Sequence, residues 1–203
     1  MKITAIKQQV KNPERVSIFV DGKYEFSLSL DELVKFKLKN NGELDEGDVK
    51  KFKKISADGK LRMRTLEWLL NRPHSERELR DYLYKKKIDP EQIQSLVDEF
   101  TGKGYLDNAK FAEWFAELQA RRGKSDRAIR SELFKKGISR ELSDEVLVVT
   151  AGDENQRLKA MIEKKRKLSR YKQDPEKLAR YLTSQGFSWQ DVKKELAVKS
   201  DDE

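Results

Sequence analysis

Two stretches of this chain lie over one another without a gap: SERELRDYLYKKKI at 75–88 and SDRAIRSELFKKGI at 125–138, fifty residues apart. Ser75 meets Ser125, Leu79 meets Ile129, Leu83 meets Leu133 and Tyr84 meets Phe134. Arg77, Arg80, Lys85 and Lys86 meet Arg127, Arg130, Lys135 and Lys136. A third, looser copy at 174–187 keeps the apolar and turn positions (Leu178, Leu182, Gly186, Phe187) but carries Glu176, Ala179, Thr183 and Gln185 in place of the basic and aromatic ones. Self-similarity at a fixed period is the signature of stacked supersecondary units. Each copy reads as a capped helix with apolar residues at i and i+4, a tight turn, and a second amphipathic helix marked by Ile93 and Val97, Leu142 and Val146, or Val192 and Leu196. In the middle copy Leu142 follows its turn one position sooner than Ile93 does. A further helix precedes each pair, at 61–70, 107–122 and about 153–167. The expected fold is mainly α: three tandem three-helix repeats in an elongated, modular chain, each with a thin core that gains from docking on its neighbours.

The first 45 residues follow a different rule. Runs at 15–20 (RVSIFV) and 23–28 (KYEFSL) flank Asp21-Gly22, the pair that a type I′ hairpin turn favours because both central residues need positive φ. Residues 2–9 alternate weakly and supply another strand. Ser29 with Glu32 predicts a capping box, and Leu28 with Leu33 a hydrophobic staple. The domain reading is a small α+β domain containing a β-hairpin at 1–45, a connecting helix at 46–60 (helical over about 46–55), and repeats at 61–104, 105–150 and 151–203, the last with an acidic C-terminal end. Punctuation supports these limits. Ser75 with Glu78 forms a second capping-box pattern, Asp89-Pro90 and Asp174-Pro175 put a cap beside a helix-starting proline, and Gly102, Gly104, Gly123 and Gly137 break the chain.

Charge narrows the partners. Charged residues make up 39% of the chain and apolar ones 36%, and the formal net charge is +8. The excess is concentrated: residues 119–136 carry a net +5 and residues 156–172 a net +7, which leaves −4 for everything else. Such concentration points toward an acidic or polyanionic partner, with a solvated lysine-rich surface as the equal alternative. With no cysteine, disulfides and thiolate chemistry are excluded; with one histidine, no zinc site is expected. No apolar run approaches the length of a membrane span. The opening MKITAIKQQVKNPERV lacks the apolar core of a signal peptide, so a cytoplasmic location is expected. Gly102-Lys103-Gly104 lacks the spacing and the Ser/Thr of a phosphate loop and reads as a helix-ending turn. His74, beside Pro73, reads as a loop residue rather than a base or ligand. Trp68, Trp114 and Trp189 read as core. No nucleophile–base pair, metal cluster or cofactor loop stands out, and the chain is expected to be neither an enzyme nor a cofactor carrier.

The candidate binding residues come from the two basic copies. With Ile129 and Leu133 fixing the core face, Arg127, Arg130 and Phe134 share the opposite face, as do Arg77, Arg80 and Tyr84 one repeat earlier. Two arginines flanking an aromatic suit an acidic protein groove or nucleic acid; the alternative is that Tyr84 and Phe134 pack on a neighbouring helix while the arginines solvate its edge. Arg121, Arg122 and Lys124, with Lys135 and Lys136, extend the basic set, though cations at a helix end also complement its dipole. The run Lys164-Lys165-Arg166-Lys167 with Arg170 and Lys172 reads as a basic helix end or linker, a solvated surface rather than a specific site; the alternative is nonspecific phosphate contact, which would be salt-sensitive.

The run Gly104-Tyr105-Leu106-Asp107, Phe111, Trp114-Phe115, Arg121-Arg122-Gly123-Lys124, Ile129-Arg130, Leu133 and Lys136-Gly137-Ile138 resembles the central signature of the RecX family. Arg72-Pro73-His74-Ser75, leading into Leu79, resembles the opening of that family's first repeat. The likeness covers about residues 61–196 and is loosest in the third repeat. It implies a non-enzymatic regulator that binds RecA–DNA filaments and restrains ATP hydrolysis, filament growth and strand exchange, within homologous recombination, DNA repair and the SOS response. It also implies contact with single- or double-stranded DNA in many members. A monomer acting by occlusion of the filament groove is the expected mechanism, and a direct DNA-binding helix-turn-helix-like module without RecA specificity is the alternative.

Overall fold

A computed structural model describes residues 1–172 and 174–198. The chain divides into two compact units, Met1–Leu70 and Asn71–Glu203.

The first unit opens with an antiparallel sheet, β1 (Ile3–Gln9), β2 (Asn12–Val20) and β3 (Lys23–Ser29), in that spatial order. The turn between β2 and β3 has φ of 49° at Asp21 and 81° at Gly22, as the Asp-Gly pair requires. Ser29 then caps α1 (Leu30–Lys35): its hydroxyl accepts the Glu32 N–H while the Glu32 carboxylate accepts the Ser29 N–H, the complete box expected. One sheet face buries Ile3, Val16, Ile18, Phe26 and Leu28 with Val49 and Phe52 of α2 (Glu46–Leu70). Each such side chain contributes about 1.5–3 kcal/mol.

The expected break between helices at 46–55 and 61–70 is absent; α2 runs unbroken for 25 residues. Ser56 and Gly59, in the interval between the two expected helices, face the sheet and are put to use there. The Ser56 hydroxyl accepts the Ser27 N–H at 3.1 Å. The buried Arg15 guanidinium donates to the Ser27 carbonyl at 3.0 Å, and its Nη1 lies 2.9 Å from where a Cβ on Gly59 would stand. Gly59 is therefore a clearance for arginine, and its helix cost of about 1 kcal/mol is borne within a helix long enough to absorb it.

The second unit is wholly helical among the described residues. The first repeat continues with α3 (Glu76–Lys85) and α4 (Pro90–Gly102); the helix expected at 61–70 is the end of α2. The second repeat is α5 (Asn108–Arg121), α6 (Asp126–Lys135) and α7 (Arg140–Thr150). The third is α8 (Glu154–Arg166), α9 (Ser169–Lys172), α10 (Pro175–Ser184) and α11 (Trp189–Val198). In the middle repeat Phe111, Phe115, Ile129, Leu133, Ile138, Val146 and Leu147 form one core; in the last, Leu158, Ile162, Leu178, Leu182, Phe187 and Val192 form another.

Three details differ from expectation. Leu142 does not replace Ile93. The caps Asp89 and Ser139 are fifty residues apart, so the fully buried place of Ile93 is taken by Ser143, whose hydroxyl donates back to the Ser139 carbonyl at 2.7 Å. The turn-to-helix spacing is thus unchanged between the first two repeats. The basic linker after α8 contains the extra turn α9, which seats Tyr171 in the third core. Trp189 is not core: it is 45% exposed at the start of α11, with the Lys193 ammonium 5.3 Å from the ring centroid. Trp68 and Trp114 are half-buried.

The repeats dock by one recurring arrangement. The first N–H of α3 donates to the Asn108 side chain at the start of α5, and the first N–H of α6 donates to Glu154 at the start of α8, both at 2.9 Å. The helix-joining turn of each later repeat rests on the preceding one. Gly137 lies against Arg77, and Gly186 against Ser125 and Ala128, so closely that a Cβ at either would crowd its neighbour. The corresponding turn residue of the first repeat is Lys87, at φ 58° and exposed.

Candidate partner-binding site

The two arginine–aromatic sets lie at the surface of the first two repeats. Phe134 is 72% exposed and Tyr84 53%. Packing of these rings on a neighbouring helix is therefore not their use among the described residues. On the second repeat, Arg127, Arg130, Ser131 and Phe134 of α6 meet Arg140 and Ser143 of α7 around a groove of about 360 Å³. Arg130 is held across it: its Nε donates to Asp144 Oδ1 at 2.5 Å, and Arg140 approaches the other oxygen at 3.7 Å. That ion pair fixes the arginine's aliphatic stem along the groove and leaves Arg127, exposed, as the less constrained cation.

The first repeat reproduces the clasp. Arg80 donates from Nε to Glu76 at 2.9 Å and from Nη2 to Gln94 at 2.8 Å. Gln94 stands fifty residues before Asp144, so helix-to-helix bonding from the same arginine position recurs in both repeats. Arg77 is exposed at the edge, beside the Gly137 turn. In the third repeat the matching position is Ala179, which is buried, and no such clasp forms among the described residues.

The remaining basic candidates divide by use. Arg121 pairs with Glu117 at 2.6 Å and Lys135 with Glu132 at 2.8 Å, both on exposed helix surface where such pairs contribute about 0–1 kcal/mol. Arg122 is exposed and Lys124 half-buried beyond the end of α5, outside the groove lining. Lys136 reaches back into the first repeat, where its Nζ donates to Glu78 Oε1 at 2.8 Å. Arg72 donates to the other Glu78 oxygen at 2.8 Å, and His74 Nδ1 lies 3.1 Å from it. Burial of Glu78 favours its neutral form, but the hydrogen bonds from His74, Arg72 and Lys136 outweigh that and hold its carboxyl well below the usual carboxylate range.

That cluster corrects the second capping box. Ser75 does accept the Glu78 N–H at 3.2 Å, but the Glu78 carboxylate turns to the three cationic or imidazole partners instead of returning to the Ser75 backbone. His74 is a loop residue, as expected, and buried. Sequence reasoning missed Arg140 and Ser143 as groove walls. Arg140 carried a signal only as the first residue of a capped helix facing the aromatic turn, and Ser143 was masked by its apolar neighbour Leu142.

Among the described residues no cluster of three or more histidine, aspartate or glutamate side chains is arranged to hold a metal ion. No described helix is long and apolar enough to cross a membrane.

Comparison with known proteins agrees with this architecture. Residues 1–45 match the regulatory protein RecX N-terminal domain, residues 62–100 the first three-helix domain of RecX, and residues 107–147 its second. The regulatory protein RecX of Listeria innocua is 33% identical over 208 residues, spanning 100% of this chain and 77% of that one. That of Bacillus licheniformis is 33% identical, over 92% of this chain and 73% of its own. Among solved structures, a crystal structure of a regulatory protein RecX overlays with a TM-score of 0.66 at 24% identity, covering 95% of this chain and 97% of the other. That of RecX from Lactobacillus salivarius gives 0.56 at 20% identity over 69% of this chain and 94% of the other. With the sheet, the repeats and the domain matches in agreement, the chain belongs to the RecX family of regulatory proteins.

Proposed function

We propose that this protein is a regulator of the RecA recombinase that binds RecA–DNA filaments and restrains ATP hydrolysis, filament growth and strand exchange, without catalysing a reaction of its own. Family membership supports the partner. The observation that carries the contact surface is the groove of the second repeat, where an exposed phenylalanine stands between Arg127 and Arg140. An aromatic anchor ringed by arginine is the composition of binding hot spots. Cations at its rim favour fast encounter with an acidic surface. The first repeat offers a second face of the same chemistry, Arg77, Arg80 and Tyr84. Two modest contacts on one chain raise avidity on a partner that is itself a regular array. A monomer lying in the filament groove would engage more than one protomer and block the motions that accompany turnover.

RecA ATPase on single-stranded DNA, with this protein substoichiometric and DNA in excess, tests the reading. Loss of hydrolysis is the expected result, and its dose dependence separates end-capping from binding along the lattice. Full hydrolysis at concentrations where the protein binds DNA would replace it with the direct DNA-binding module.

A further inference from the structure

Several cations of the first two repeats are committed, while Arg77, Arg122 and Arg127 stand exposed. Arg80, Arg121, Arg130, Lys135 and Lys136 each have a carboxylate partner. The basic corner of the third repeat differs. Lys164, Lys165, Arg166, Lys167, Arg170 and Lys172 fall within nine residues, at the end of α8 and along α9, and none of them makes an ion pair with a described residue. The nearby acids Asp174 and Glu176 are engaged elsewhere: Asp174 caps α10 through the Lys177 N–H, and Glu176 faces Arg180 at 3.8 Å. Other basic residues of the same sequence segment are used internally. Arg157 bonds Asp126 and the Ala151 and Gly152 carbonyls across the junction of the second and third repeats, and Lys159 faces Glu195 at 3.8 Å.

We infer that this corner is a separate nucleic-acid backbone contact, distinct from the arginine–aromatic groove. Dipole complementarity covers the cations in the last turn of α8 and, weakly, those of the single turn α9, but it does not account for nine residues that hold six cations and no acid. Two of the six turn inward: Lys165 sits 4.8 Å from the Tyr181 ring centroid, and Arg166 donates to the Leu196 carbonyl at 3.2 Å. Lys164, Lys167, Arg170 and Lys172 remain exposed, spread over the helix end and the following turn. The aromatic residues here offer bases no face. Tyr171 is buried beneath the Arg170 guanidinium, 4.7 Å from its centroid, and Tyr181 carries Lys165. Point charges without a stacking platform or a shaped pocket fit a string of phosphates read without regard to sequence. The third repeat, which lacks the arginine–aromatic face, thus takes the DNA strand, while the first two take protein.

The test is salt-dependent binding of a fluorescein-labelled oligothymidylate to the full chain, comparing wild type with Lys164→Gln/Lys167→Gln/Lys172→Gln and with Phe134→Ala. These three lysines have no partner interaction among the described residues, and an unchanged thermal melt verifies folding. Loss of three phosphate contacts makes the slope of log K against log salt shallower by about two, and weakens binding roughly 100-fold near 0.1 M salt. Phe134→Ala leaves the slope unchanged. An unchanged slope in the folded triple variant, no binding by wild type, or lysine-dependent binding to phosphatidylserine vesicles without binding to the oligonucleotide would each overturn the assignment. RecA does not enter this measurement, so its outcome is independent of the ATPase result.

Discussion

Lys136, at the end of α6, reaches into the preceding repeat and donates to Glu78 at 2.8 Å, across 58 residues of sequence. The Glu78 carboxylate is mostly buried and meets Arg72 and His74 as well, so one acid ties a loop, a helix and the next repeat together. Replacing it by alanine leaves two cations without their acceptor. Glu78→Ala is expected to cost about 1.5–3 kcal/mol, the range for hydrogen bonds to charged groups, measured by urea unfolding. Lys136→Ala, at a half-exposed position, should cost less. Equal and negligible costs would show the cluster to be ornamental to stability.

The same carboxyl makes stability depend on pH. Its pKa in the folded protein lies below the ordinary value of 4.5, so the unfolded chain binds its proton first as acid is added. The contribution is therefore complete above about pH 4.5 and is lost progressively as pH falls below it. Melting temperature should decline through this acidic window in the wild type, and the decline should be shallower in Glu78→Gln. Parallel curves for the two proteins would place the acid sensitivity elsewhere.

Phe134 separates binding from folding. Its ring is largely exposed, so Phe134→Ala should alter stability by no more than about 0.5 kcal/mol. If the groove is the filament contact, the same change should weaken inhibition of RecA ATPase by roughly 30-fold, as expected of a hot spot worth about 2 kcal/mol. Arg127→Glu with Arg130→Glu should do at least as much, with some loss of stability because Arg130 holds Asp144. Full inhibition by the folded variants would remove this face from the mechanism.

The turn glycines should be unequal. Gly186 has φ 101°, and a Cβ there would overlap Ser125 and Ala128, so Gly186→Ala combines strain with a steric clash. A loss of about 2–4 kcal/mol in thermal or urea unfolding is expected. Gly137→Ala, where the nearest atom is the Arg77 Cβ at 3.0 Å, should cost less, and Gly104→Ala, with open space around it, should cost only the backbone term of about 1 kcal/mol. Similar losses at all three would mean that backbone conformation alone governs these turns.

Elements whose signals are local were legible in the chain. Asp21-Gly22 specified its hairpin, Ser29 with Glu32 its capping box, and the fifty-residue offset gave the repeats. What was not legible depended on residues distant in sequence. The continuity of α2 through residues 56–60 is not evident until Arg15 is seen to occupy the space beside Gly59. Glu78 reads as half of a capping box until Lys136 arrives from the next repeat to claim its carboxylate. The exposed Phe134 and its arginines were found from helical periodicity alone, but Arg140 was not, because the opposite wall of a groove belongs to another helix. In the third repeat the charge count of residues 156–172 overstated the free cations, since Arg157 and Lys159 bond within the fold.

The middle repeat carries both halves of the docking arrangement. Its Gly137 turn and Asn108 fit the repeat before it, and its Ser125, Ala128 and Asp126 receive the one after. In principle it is a link that can be copied. A chain with residues 105–150 duplicated in tandem would present Arg127 to the new glycine turn where Arg77 stands now. The number of links, and with it the length of the helical array, is then a quantity that gene duplication can extend without redesigning a single joint.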